Sequence, residues 1–104
     1  MNAAHILPSS PIAKALAVVG DRWSALVMRE MFLGTTRFGE LAAATGASRA
    51  TLSKRLRALV ANGLLYQNPY QTRPPRVEYR LTEKGFGLYD FALAIWAWEA
   101  RWSR

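Results

Sequence analysis

The sequence predicts a mostly α-helical fold with one small antiparallel β-hairpin, and three patterns support this. Two helical stretches within residues 38–62 are separated by only a few residues around Gly46. Apolar and polar residues alternate just before residue 82, which is typical of a strand with one buried face. Residues 82–103 then repeat apolar positions at spacings of three and four, which is typical of a helix. A chain of 104 residues supports one compact core, so residues 1–104 are expected to form a single domain.

Two helices are predicted in the N-terminal part of the chain. Ser10 and Pro11 are suited to the cap and the first position of a helix over about residues 11–19. Asp21 can cap a second helix, whose apolar residues recur at spacings of three and four and which ends before Gly34.

Residues 38–62 predict two further helices that cross at a tight turn. Helices with so short a connection need a small residue on the first helix, a glycine in the turn and an apolar residue on the second. Ala42, Gly46 and Leu52 stand in this arrangement, and Ser48 can cap the second helix. The segment is therefore predicted to be a helix-turn-helix.

Residues 65–81 predict a two-stranded hairpin, called the wing below. Residues 65–70 and 76–81 are its strands, and the connecting QTRPP contains two prolines, which cannot donate ladder hydrogen bonds and so mark the tip. The second-strand residues expected to face the core are Val77, Tyr79 and Leu81. A helix-turn-helix followed by such a hairpin predicts a winged helix-turn-helix.

The positive charge of the chain is concentrated in its middle. The whole chain carries a net charge of +7, and the segment from Arg37 to Arg80 holds eight basic residues against two acidic ones. Such concentration is typical of a face that binds a polyanion. The alternative is an ordinary solvated surface that happens to be basic.

The second helix of the helix-turn-helix is predicted to carry the basic face. At about 100° per residue, Lys54 and Arg57 point away from the apolar positions, and the small residues between them let such a helix enter a DNA major groove. The wing arginines can then reach the adjacent backbone or minor groove. The residues predicted to contact DNA are Arg37, Ser48, Arg49, Ala50, Thr51, Ser53, Lys54, Arg55, Arg57, Arg73 and Arg76.

The terminal helix over residues 82–103, capped by Thr82, predicts a dimer interface together with the first helix. Its aromatic surface is larger than a small core can bury, because Tyr89 and Trp96 lie on a different side from the main stripe. Packing onto its own domain and a hydrophobic ligand pocket lined by the tryptophans are the alternatives. The residues predicted to form the dimer interface are Ile12, Leu16, Leu88, Phe91, Ile95, Trp98 and Trp102.

The sequence resembles the HxlR-type winged helix-turn-helix regulators from Ser10 to about Trp98. The resemblance is carried by PIAKALAVVGDRWSALVMREMFLGTTRFGEL, LSKRLRALVANGLL and PPRVEYRLTEKG. It implies a dimeric bacterial or archaeal transcription factor whose terminal helices form the dimer interface and whose fourth helix reads double-stranded DNA. Many members carry a cysteine just before the proline that opens the first helix, where this chain has Ser10. Regulation by thiol redox chemistry is therefore not expected.

Several classes of function are disfavoured by composition. With no cysteine, the chain offers no disulfide and no thiolate ligand or nucleophile, and neither a metal nor a cofactor is expected. The single histidine, His5, lies within residues 1–9, which are expected to be flexible, and no acidic pair has a spacing suited to acid-base chemistry. An enzyme is therefore not expected. The start lacks a secretory signal and no apolar run approaches the roughly 20 residues of a membrane span, so a cytoplasmic location is the default.

Two binding alternatives remain beside DNA. Winged helices also serve as protein-interaction modules, but basic residues on both the helix and the wing favour DNA. RNA is disfavoured because its deep major groove excludes a helix. A dimer predicts a near-palindromic operator with half-sites about one turn apart, roughly 34 Å. If the protein responds to a signal, a small-molecule effector or a change of partner is the remaining route, and the sequence identifies neither.

Overall fold

The elements of the computed structural model are given for residues 10–103, which are the described residues, so the predictions for residues 1–9 and His5 lie outside them. The described elements, in chain order, are α1 (Pro11–Val19), α2 (Arg22–Phe32), α3 (Phe38–Thr45), α4 (Arg49–Ala61), β1 (Leu65–Gln71), β2 (Arg76–Leu81), α5 (Glu83–Phe86) and α6 (Tyr89–Trp102). The predicted fold class, mostly helical with one antiparallel hairpin, is confirmed. None of the described helices is both long enough and apolar enough to cross a membrane.

Three side chains begin three of the helices as the sequence predicts. Ser10, Asp21 and Ser48 each accept a hydrogen bond from the backbone N–H three residues ahead, at 2.9–3.1 Å. A cap of this kind contributes about 1 kcal/mol by pairing an N–H that the helix itself leaves without a partner. The first turns of α1, α2 and α4 are therefore defined by local hydrogen bonds.

The core lies beneath the crossing of α3 and α4. Leu41 of α3 and Leu52, Leu56 and Leu59 of α4 are fully enclosed, and Val27 of α2 lies in the same cluster. Full burial of a leucine side chain contributes about 1.5–3 kcal/mol relative to an exposed one. This cluster holds α4 at a defined angle and leaves its opposite face to solvent.

The turn between α3 and α4 depends on Gly46. Its φ of 76° lies in the left-handed region, and its N–H donates to the carbonyl of Ala42 at 3.0 Å. Glycine adopts this conformation without the steric cost that a Cβ atom imposes. The turn therefore closes within three residues, and α4 begins directly after it at Arg49.

The wing is a two-stranded sheet whose base is continuous with the core. β1 and β2 pair antiparallel from Leu65 opposite Leu81, and the register shifts between Pro69 and Gln71. Tyr70 is thus an extra residue on β1, as in a β-bulge. Leu65 is buried at the base, whereas the tip extends away from the helices into solvent.

The predicted inward face of β2 is wrong at two positions. Val77 is 38% exposed, whereas Glu78, expected outside, is only 7% exposed. Tyr79 and Leu81 are half-buried. The reason is that the core reaches only the base of the hairpin, while the loop before α3 covers the other side of β2 at Glu78, where the Thr36 hydroxyl donates to its carboxylate.

The predicted single helix over residues 82–103 is two helices, α5 and α6. Thr82 caps α5 as expected, accepting from the N–H of Gly85 at 3.0 Å. A Cβ atom at Gly85 would collide with the carbonyl of Leu64, so α5 lies directly on the backbone that follows α4. A second glycine, Gly87, lowers helix propensity just before the break at Leu88.

Candidate nucleic-acid interface

One face of α4 is cationic and exposed. Its leucines face the core, and on the other side Arg49, Ala50, Lys54 and Arg57 are exposed. Thr51 and Ser53 are half-buried at the edges of this face. The helix therefore presents long basic side chains interleaved with small ones, as the helical spacing predicts.

Two side chains at the start of α4 are held by local contacts. The Ser48 hydroxyl donates to Thr51 Oγ1 at 3.0 Å while accepting from the Thr51 N–H. The guanidinium of Arg49 lies over the ring of Phe38, 4.8 Å from its centroid. Cation–π contacts of exposed arginines contribute about 0.5–1 kcal/mol, enough to favour one placement of the charge.

Arg55 is not on the exposed face of α4. Its side chain is one-third exposed, and its Nε lies 3.6 Å from Asp21 Oδ2, at the start of α2. Burial raises the pKa of Asp21, but hydrogen bonds from Ser24 and the charge of Arg55 outweigh this, so the net pKa is lowered. Arg55 therefore joins α4 to α2 within the domain, and the structure separates it from the other predicted DNA contacts.

The wing tip carries two further exposed cations, Arg73 and Arg76. A turn over residues 72–75 forms the tip, where the Gln71 side-chain amide donates to the carbonyl of Arg73 at 3.1 Å. No ion pair in the described part of the chain involves the exposed cations of α4, the wing tip or the loop before α3. The charge of these side chains is therefore available to an external anion.

Arg37 lies between the helix-turn-helix and the wing. It is exposed, and its guanidinium stacks on the ring of Tyr70 at 4.0 Å from the centroid. The residue before it, Thr36, accepts a backbone hydrogen bond from Tyr79 of β2 at 2.8 Å. Arg37 thus joins the start of α3 to β1 of the wing through its contact with Tyr70.

Glu78, which is not among the residues predicted from the sequence, carries a buried carboxylate next to Thr36. Glu78 accepts hydrogen bonds from Arg80 at 2.6 and 2.9 Å, from Asn68 at 3.1 Å and from Thr36 at 3.2 Å. The hydrogen bonds from Arg80 and Asn68 lower the pKa of Glu78 against the opposing effect of burial, and Thr36 adds to this. The signal available in the sequence was an acid alone in a basic strand.

The residues predicted for a dimer interface are mostly exposed. No residue of α6 is buried, and Trp98 and Trp102 are 63% and 64% exposed. Ile12 and Leu16 of α1 are exposed as well, and so are Phe91 and Ile95. Leu88 differs, because it is half-buried and packs against the protein's own core.

Comparison with known proteins identifies a family and several relatives. A profile of the family described as HxlR-like helix-turn-helix matches residues 18–104. The chain is 45% identical over 94 residues to an HTH-type transcriptional regulator of Mycobacterium tuberculosis, covering 90% of this chain and 60% of that protein. It is 33% identical over 103 residues to the HTH-type transcriptional regulator YvaP of Bacillus subtilis, covering 98% of this chain and 94% of YvaP.

A solved structure shows the same fold at similar identity. The redox regulator HypR in its reduced form superposes with a TM-score of 0.82 at 32% identity, covering 88% of this chain and 92% of HypR. The present chain spans only about 60% of the length of the mycobacterial relative. From the profile match and the winged helix-turn-helix fold together, the chain belongs to the HxlR-like helix-turn-helix family.

Proposed function

We propose that this protein is a transcriptional regulator that binds double-stranded DNA sequence-specifically as a homodimer. The observation that carries the proposal is the set of exposed cations without ion-pair partners on α4, the wing tip and the loop before α3. A surface of this kind attracts DNA because neutralising phosphates releases the counterions condensed on the duplex. The relatives in M. tuberculosis and B. subtilis, both named as HTH-type transcriptional regulators, support the same assignment.

In the proposed complex, α4 enters the major groove. Lys54 and Arg57 are long enough to reach base edges or phosphates, and Ala50 is small enough to allow close approach. The N-terminus of α4 at Ser48 favours a phosphate, because unpaired N–H groups and the helix dipole both point there. Arg55 is left out of this contact set because it is paired with Asp21.

The wing and Arg37 supply the second contact. Arg73 and Arg76 at the tip can reach the backbone or the minor groove beside the α4 site. Arg37, whose guanidinium lies over Tyr70 of β1, is proposed to contact a further phosphate. Contacts of this type position the protein on the duplex, whereas sequence is read by α4.

A second copy of the chain is proposed to cover α6 and α1. α6 has no buried residue and several exposed tryptophans, so packing against the rest of the chain stabilises it little. Large exposed apolar patches on a protein mark interaction surfaces. A twofold dimer buries the same patch on both copies. The two α4 helices would then require a near-palindromic operator with half-sites about one turn, roughly 34 Å, apart.

Regulation is proposed not to use a thiol within these residues. HypR is named as a redox regulator, but the 104 residues of this chain contain no cysteine. Disulfide and sulfenic acid chemistry both require one. A small-molecule effector or a change of partner remains as the route for any signal.

The proposal is tested by selecting duplexes from a random pool with the purified protein. We expect enrichment of one near-palindromic sequence whose half-sites lie about one helical turn apart. Enrichment of a single half-site would contradict the dimer alone. Failure to retain any duplex at about 50 mM salt would contradict DNA binding itself.

A further inference from the structure

Glu78 is an acid buried in the most basic part of the protein. Its two carboxylate oxygens accept four hydrogen bonds from three segments of the chain: the loop before α3, β1 and β2. Burying a charge is costly unless it is paired and hydrogen-bonded, so such a group persists where it fixes an arrangement of its donors. Here the donors belong to the wing on one side and to the approach to the helix-turn-helix on the other.

The core holds the base of the wing at Leu65, but its outer part has little other support. An isolated two-stranded hairpin is marginally stable in water, and here Val77 and the whole tip are exposed. On the α3 side the wing is joined to the loop by the Tyr79 N–H on the Thr36 carbonyl and by the Thr36 hydroxyl on Glu78. These two hydrogen bonds therefore tie the middle of β2 to the loop that begins α3.

The same contact sets the position of Arg37. Arg37 follows Thr36 directly, and its carbonyl accepts the N–H of Leu41 in the first turn of α3. On its outer side, the guanidinium rests on Tyr70, the extra residue of the β1 bulge. The backbone at Arg37 is thus held by the hydrogen bonds that join Thr36 to Glu78 and Tyr79, and its side chain is held by Tyr70.

We propose that Glu78 is a positioning residue for DNA binding, which holds the wing and Arg37 at the angle at which they and α4 engage one duplex together. The inference rests on the proposed function and adds a residue that would touch no DNA. The proposal predicts that removing this acid changes DNA affinity in the direction opposite to that expected for an ordinary acid. Removing an acid near a DNA-binding surface normally strengthens attraction to the phosphates, whereas removing Glu78 weakens binding because the cations no longer act together.

The experiment compares Glu78→Ala with Glu83→Ala, which removes an exposed acid of α5 and the same charge. A second pair is Thr36→Val, which removes only the hydroxyl that donates to Glu78, and Thr35→Val, whose hydroxyl donates to Glu30 instead. Thermal unfolding establishes that each variant is folded. Binding is measured on the selected duplex, and amide hydrogen exchange of Tyr79 is measured without DNA.

We expect Glu78→Ala to weaken binding about tenfold and Thr36→Val about threefold, with both controls unchanged or slightly tighter. Exchange of the Tyr79 amide should accelerate at least about tenfold in Glu78→Ala. Arg73→Ala should then cost less affinity in the Glu78→Ala protein than in the unaltered protein, because the wing has already lost its position. A residue that only stabilises the fold would leave the cost of Arg73→Ala unchanged.

Different results overturn different statements. Unchanged Tyr79 exchange in Glu78→Ala and Thr36→Val, or tighter duplex binding by both, overturns the positioning role. Additive effects of Glu78→Ala and Arg73→Ala overturn it as well, while leaving DNA binding intact. If the unaltered protein binds no duplex, the proposed function fails and the positioning role fails with it, even where the exchange data reveal the connection through Thr36.

Discussion

Helices α4 and α6 have similar lengths, 13 and 14 residues, but they relate to the rest of the domain in opposite ways. α4 buries Leu52, Leu56 and Leu59 on one face and exposes cations on the other, whereas α6 buries nothing. α4 is anchored by the core and presents a charged surface, which an anion can cover. α6 presents an apolar surface, which only another apolar surface covers favourably. The two surfaces are therefore suited to partners of different chemistry, as the proposed function requires.

The largest effect is expected for a substitution on the exposed apolar surface of α6. Trp98→Ala removes one large exposed side chain, and because a twofold interface contains it twice, we expect self-association to weaken about 100-fold or more. Sedimentation over a range of protein concentrations measures the change. Glu99→Ala, the next residue on the same exposed helix, should leave association unchanged. A monomeric unaltered protein, or full association of Trp98→Ala, would show that this surface has another role.

A smaller effect on duplex binding is expected for substitutions of the cations of α4 and the wing. Lys54→Ala and Arg73→Ala should each weaken duplex binding about tenfold and lower the dependence of log affinity on log salt by about one phosphate contact. Lys84→Ala, which removes an exposed lysine of α5, is the control for a general loss of charge. Titrations between about 50 and 200 mM salt give both quantities. Equal behaviour of all three variants would mean that the cationic face is only a solvated surface.

The smallest effect separates two arginines of the same helix. Arg55→Ala should lower the free energy of unfolding by at most about 1 kcal/mol, through loss of the pair with Asp21, and leave duplex affinity nearly unchanged. Arg57→Ala, two residues on and exposed, should do the reverse. Denaturant unfolding and duplex titration of both variants provide the measurements. If Arg55→Ala costs as much affinity as Lys54→Ala, Arg55 belongs to the contact surface after all.

The hydrogen bonds from Ser24 and the nearby charge of Arg55, which lower the pKa of Asp21, also predict a pH dependence of stability. The folded pKa of Asp21 lies below its ordinary value of 3.8, so ionised Asp21 stabilises the folded protein. This contribution is fully present above the ordinary value and is lost as the pH falls through the lower, folded value. Unfolding at a series of acidic pH values should therefore show a weaker dependence on pH in Arg55→Ala than in the unaltered protein.

Local signals accounted for most of the fold. Ser10, Asp21 and Ser48 are caps whose partners lie three residues away, and Gly46 ends α3 through its own backbone conformation. Such features depend on neighbours in the sequence, so single residues predict them. The exposed placement of Lys54 and the other α4 cations follows in the same way from helical periodicity.

Contacts between distant residues account for the rest. Glu78 is buried because Thr36, 42 positions earlier, lies over it, and alternation along β2 contains no information on that contact. Helical spacing places Arg55 on the flank of the leucine face of α4, but it does not reveal the ion pair with Asp21, which caps α2. The close approach of α5 to the backbone at Leu64, through Gly85, is likewise a contact that a helical repeat of apolar residues does not reveal.

The joint at Gly87 and Leu88 has a geometric consequence for the proposed pair of chains. Tyr89, just beyond the joint, packs against Phe32 with the two rings tilted by 40°. From Tyr89, α6 extends for 14 residues, about 21 Å, and none of them is buried. A rotation of about 10° at the joint displaces the far end of such a rod by roughly 4 Å. In the proposed dimer, substitutions at Gly87 or Leu88 would therefore change the distance between the two α4 helices, and with it the preferred spacing of the half-sites, without altering any proposed DNA contact.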